Sequence, residues 1–122
     1  MRYDPSVAPP PEAWLGVDEQ ERMAAVRQYH KSSHTKLPNA QGHAIVHTIV
    51  ENQMAEGHAA VTRALDRLVQ AGVARHEAVH AIGATLMKHM SQAMQGVHPF
   101  SAEAYEAELE QLTAQGWLSG AV

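Results

Sequence analysis

Residues 75 to 83 read Arg75-His76-Glu77-Ala78-Val79-His80-Ala81-Ile82-Gly83. This segment contains the pattern His-Glu-x-x-His, in which two histidines are separated by four positions. Side chains four residues apart on an α-helix lie one turn apart on the same face, so His76 and His80 can hold one ion between them. The segment is therefore predicted to be a helix that carries metal ligands.

Two more histidine pairs share this spacing. His43 pairs with His47, which is followed at the same interval by Glu51, and His30 pairs with His34. Six of the nine histidines thus fall into three pairs, whereas a single pair would be weak support because short motifs also occur by chance. The repetition indicates metal binding.

Composition favours one helical domain. A chain of 122 residues suffices for one hydrophobic core. Its apolar residues are mostly small or aliphatic, with one Phe, three Tyr and two Trp, and this balance favours helices over strands. We expect an all-α, up-and-down bundle of four to five helices. Residues 1–17 are expected to form an extended Pro-rich arm, and residues 18–122 a single bundle domain.

Hydrophobic spacing and end signals place the helices. Gly57 and Gly72 are predicted to end the second and third helices, and Asp18 and Ser101 to precede the first and fifth. Short loops favour antiparallel neighbours, which would make the second and fourth helices parallel and bring their histidine pairs to one height. The five helices are expected near residues 19–33, 40–56, 58–71, 74–95 and 102–115.

Several function classes are disfavoured. A formal charge of -4 with dispersed Lys and Arg gives no basic surface for nucleic acid. The absence of cysteine limits metal ligands to nitrogen and oxygen. No segment resembles a secretory signal or a membrane span. A cytoplasmic protein without membrane or nucleic-acid partners is therefore expected.

The motifs also resemble a family of small uncharacterised bacterial proteins, a domain of unknown function. The resemblance covers roughly residues 14 to 118, and it departs at Gly116, where a polar residue is expected. It implies an all-helical fold and names no activity. It is carried by His43-x-x-x-His47-x-x-x-Glu51-Asn52-Gln53, by Arg67-Leu68, by the segment 75–83, and by Tyr105, Leu109, Leu112, Thr113, Ala114 and Trp117.

The leading hypothesis is a metal-binding bundle. Imidazole and carboxylate ligands suit zinc, iron or nickel without choosing among them. Glu51 is expected as a further ligand, with Glu77 as a ligand or an orienting group. Helix N-termini attract anions, so a small anionic ligand at an open coordination position is expected as well. The predicted metal ligands are His43, His47, His76, His80 and Glu51.

Three alternatives stay open. In a zinc peptidase, His76 and His80 would bind zinc and Glu77 would be catalytic by activating water. Against this, no edge strand is available to align a peptide. Glu77-x-x-His80 also matches half of the carboxylate-bridged di-iron motif, but a second copy is missing. Finally, the histidines could belong to a structural or interaction module that binds no metal.

Overall fold

The computed structural model describes residues 1–32 and 40–118 and contains seven helices within them. No strand occurs among these residues, which confirms the all-α prediction. No described helix combines the length and apolar character needed to span a bilayer. The helices are α1 (Pro11–Leu15), α2 (Glu19–Ser32), α3 (Ala40–Ala55), α4 (Ala59–Gln70), α5 (Arg75–Met94), α6 (Ala102–Gln111) and α7 (Ala114–Leu118).

The bounds of α2, α3, α4 and α5 agree with the sequence prediction to within one residue. The predicted fifth helix is instead divided, because Leu112 adopts extended backbone angles after α6. The Arg67 guanidinium donates hydrogen bonds to the carbonyl oxygens of Leu109 at 2.6 Å and Leu112 at 3.0 Å. These bonds satisfy carbonyls at the end of α6 that a longer helix would have used.

The helices group into two compact units, Met1–His58 and Ala59–Val122. In the first unit, α1 and α2 both pack against α3. In the second unit, α4, α5 and α6 pack against one another. The predicted division into an arm and one bundle domain stays a prediction.

Trp14 joins the Pro-rich arm to the first unit. Its side chain is buried, while the neighbouring Leu15 is exposed. The indole Nε1–H donates to the Oδ1 atom of Asn52 at 2.8 Å, and the same oxygen accepts a bond from Arg22 at 2.7 Å. One amide oxygen on α3 therefore binds side chains from two other parts of this unit.

The buried face of α3 differs from the predicted one. The apolar spacing of α3 predicts Ile45 inside and His47 and Glu51 at the edge of the apolar face, yet Ile45 is 36% exposed and His47 and Glu51 are each only 2% exposed. Hydropathy treats histidine and glutamate as polar and assigns them to the rim. Their burial is possible because a hydroxyl group from the arm hydrogen-bonds both side chains.

Left-handed glycines end α3 and α4, as predicted. Gly57 has φ 77° and Gly72 has φ 98°. After α4, the Gly72 amide donates to the Val69 carbonyl and the Val73 amide to the Leu68 carbonyl, each at 3.0 Å. This pair of bonds is the Schellman arrangement, which needs a residue with positive φ at the glycine position.

Replacing Gly72 with Ala is expected to lower the free energy of unfolding by about 1 kcal/mol, because a Cβ atom disfavours positive φ. Gly72→Asn is the matched control, since asparagine tolerates this conformation better. Urea denaturation of the two variants measures the difference. Equal losses would show that φ at residue 72 is not the cause.

An ion cluster joins α5 to α6. Lys88 and His89 contact the same carboxylate oxygen of Glu108, at 3.0 and 3.1 Å. Burial raises the pKa of Glu108, but the hydrogen bonds and charges of Lys88 and His89 outweigh burial and hold that pKa below its ordinary value. The folded protein therefore favours the ionised carboxylate.

A carboxyl group with a lowered folded pKa stabilises the protein above its unfolded pKa, near 4.3, and this stabilisation is lost as the pH falls through the folded value. Glu108→Gln should therefore cost about 0.5 kcal/mol at pH 7 and almost nothing at about pH 3. Urea denaturation at both pH values tests this, with Glu106→Gln on the same helix as control. A loss of equal size at both pH values would contradict it.

Candidate metal centre

Two histidine pairs among the described residues could provide metal ligands: His30 with His47, and His76 with His80. His30 and His47 belong to the first unit, and His76 and His80 to the second. Within each unit, one ring nitrogen of the first histidine lies within 4.8 Å of one ring nitrogen of the other. Two nitrogen ligands of one zinc ion are about 3.4 Å apart, so modest side-chain rotations suffice in each pair.

His30 lies on α2 and is buried. Its Nδ1 atom is 2.9 Å from the carbonyl oxygen of Val26, one helical turn earlier. A carbonyl oxygen only accepts, so Nδ1 carries the proton and donates it. In the neutral ring, Nε2 then carries the lone pair that a metal ion needs.

His47 lies on α3, and its Nδ1 atom is 2.8 Å from the hydroxyl oxygen of Tyr3. The same hydroxyl is 2.5 Å from Oε2 of Glu51. An ionised carboxylate only accepts, so Tyr3 donates its proton to Glu51 and accepts a hydrogen bond from Nδ1–H of His47. Neutral His47 therefore also carries its lone pair on Nε2.

His43, a predicted ligand, contacts His30. Its Nε2 atom lies 3.1 Å from Nε2 of His30, and the two ring centroids are 4.5 Å apart. Since His30 carries its proton on Nδ1, neutral His43 donates and His30 accepts. His43 therefore uses the lone pair of His30 that a metal ion would take.

The pair in the second unit lies at the start of α5. The rings of His76 and His80 lie one turn apart in an edge-on contact, with centroids separated by 4.3 Å and an interplanar angle of 63°. Oε2 of Glu77 is 4.0 Å from Nδ1 of His80. Oε1 of Glu77 accepts a hydrogen bond from the Trp117 indole at 3.0 Å, so α7 contacts the carboxylate within the His-Glu-x-x-His pattern.

The site residues predicted from the sequence fall into two groups, one in each unit. In the first unit, the rings of His43 and His47 have centroids 5.6 Å apart, and the Tyr3 hydroxyl connects Glu51 to His47. In the second unit, His76 and His80 are adjacent. The prediction that ligands from α3 and α5 share one ion, and that Glu51 contacts it, stays a prediction.

Two residues of this region were missing from the predicted ligand set. His30 had a sequence signal, since it is four residues from His34, but His34 lies outside the described residues. Tyr3 had none, because it is an isolated tyrosine in a Pro-rich segment. A contact between residues 44 positions apart leaves no local periodicity to detect.

Comparisons of this chain with protein-family models, with curated proteins and with solved structures found no match. The resemblance described above therefore stays a prediction. The chemistry of the histidine pairs is the basis for assigning a function.

Proposed function

We propose that this protein binds a divalent transition-metal ion through His30, His47, His76 and His80. The observation that carries the proposal is the state of the first pair. Val26 and Tyr3 hydrogen-bond Nδ1 of His30 and of His47, respectively, so both neutral rings present Nε2 as a ligand atom. Metal-bound histidines commonly have their second nitrogen held in this way.

Nitrogen ligands limit the choice of metal. Imidazole binds zinc, iron and nickel well, and the softer thiolate ligands that would help to select among metals are absent from a chain without cysteine. Zinc, iron and nickel therefore remain the proposed ions. Bonds of about 2.0–2.2 Å to imidazole nitrogen are expected.

Sharing of one ion by the pair His30/His47 and the pair His76/His80 is part of the proposal, and the expectation that ligands of α3 and α5 share an ion comes from the sequence. A zinc ion takes four ligands, and each pair provides two. Bound metal per chain tests this directly. One ion that is lost on mutation of either pair supports a shared site, whereas two ions lost independently support separate sites.

A small anion is the proposed exogenous ligand of the second pair. Helix α5 begins at Arg75, so His76 and Glu77 lie in its first turn. Backbone amides at a helix N-terminus point outward and attract negative charge. An anion bound to the metal would lie near these amides.

Replacing one ligand should weaken metal binding strongly. Removal of a group that only orients a ligand costs roughly 10–100-fold in affinity, so His47→Ala and His80→Ala should each lose at least about tenfold. His98→Ala changes an exposed histidine outside the candidate set and is the matched control. Competition titration with Zn²⁺ measures all three, and unchanged affinity in His47→Ala would remove α3 from the site.

His43→Ala belongs in the same titration series because it distinguishes two roles. If His43 only competes for the lone pair of His30, the Zn²⁺ affinity of His43→Ala equals or exceeds that of the wild type. If His43 is itself a ligand, as the sequence predicted, affinity falls as in His47→Ala. The 3.1 Å contact between the two Nε2 atoms supports the competing role.

Glu77 is better suited to orient His80 than to activate water. One oxygen already accepts a hydrogen bond from Trp117, and the other faces Nδ1 of His80. We expect purified protein loaded with zinc to show no peptide hydrolysis, and Glu77→Gln to retain metal. Metal content and cleavage of a mixed peptide library measure this. Cleavage that disappears in Glu77→Gln would instead support the zinc peptidase.

A further inference from the structure

We infer that Tyr3 is a positioning residue of the metal site. Tyr3 also couples the affinity of this site for metal to docking of the N-terminal arm. This inference rests on the proposed function, since it concerns the ligand His47. Tyr3 touches no proposed metal position. It acts through the two side chains that its hydroxyl group joins.

Tyr3 is held too firmly to be an incidental arm contact. Its side chain is buried, and its ring packs against Trp14, Tyr29 and His47 at centroid distances of 5.6, 6.2 and 5.4 Å. The ring positions the hydroxyl between His47 and Glu51, at 2.8 and 2.5 Å.

The hydroxyl gives His47 a defined ring orientation and a defined tautomer. Because Tyr3 donates to Glu51, it must accept from Nδ1–H of His47. The arrangement extends the common carboxylate–histidine–metal relay by one phenol group, which links Glu51 to His47 through two hydrogen bonds. Nε2 of His47 is thereby kept ready to bind a metal ion.

The same contact couples the metal to the arm. A cation on Nε2 makes the Nδ1–H group a stronger donor, which strengthens its hydrogen bond to Tyr3. Coupling between two binding events is reciprocal. Docking of the arm therefore raises the affinity for metal by the same factor by which bound metal raises the equilibrium constant for docking of the arm. Residues 1–10 thus contribute to the site without providing a ligand.

Tyr3→Phe tests the inference, because it removes the hydroxyl and keeps the ring packing. Zn²⁺ affinity should fall about 10–100-fold. Tyr29→Phe is the matched control: Tyr29 belongs to the same aromatic cluster, and its edge contacts with Tyr3 and His30 are retained by phenylalanine. Affinity that is equal in Tyr3→Phe and the wild type would overturn the inference while leaving the proposed function intact.

The tautomer of His47 gives a readout that does not depend on metal binding. In metal-free wild-type protein, ¹⁵N NMR should show His47 protonated on Nδ1, with the signal assigned by its loss in His47→Ala. In Tyr3→Phe the Nε2–H form should gain population. Predominant Nε2–H in the wild type would overturn the inference.

If the wild type binds none of Zn²⁺, Fe²⁺ or Ni²⁺, the proposed function fails, and the role of Tyr3 in metal affinity fails with it.

Discussion

The hydrogen bonds of the Tyr3 hydroxyl group make the interior of the first unit possible. Glu51 and His47 are almost completely buried on α3, and a buried carboxylate is costly unless hydrogen bonds replace its hydration. Tyr3 provides such a bond to Glu51 and accepts one from His47. A helix that would otherwise expose these side chains can therefore turn them inward.

Burial of histidine also requires that each ring nitrogen have a defined role. A neutral imidazole has one donor and one acceptor nitrogen, and the partner of one decides the state of the other. In the first unit a helix carbonyl determines the state of His30 and a phenol that of His47. The imidazole of His43 hydrogen-bonds to the lone pair of His30, so a metal ion bound to His30 at this nitrogen would have to displace that hydrogen bond.

In the second unit, different contacts orient the histidine pair. His76 and His80 are brought into contact by the helix itself, because their spacing places them one turn apart. Glu77 approaches His80 from within the same pattern, and Trp117 from α7 orients Glu77. The support is thus largely local to α5, whereas in the first unit it comes from the distant arm.

The sequence by itself determined the helices, because their hydrophobic spacing and their end signals at Gly57, Gly72 and Ser101 are local. It also determined that His76 and His80 are in contact, since spacing alone places them. Tertiary structure decided that α3 buries His47 and Glu51, that Arg67 divides the last predicted helix, and that Tyr3 joins the candidate site. The physical reason is the same in each case: these hydrogen bonds connect residues 42 to 48 positions apart, and no local propensity records which distant partner will satisfy a buried polar group.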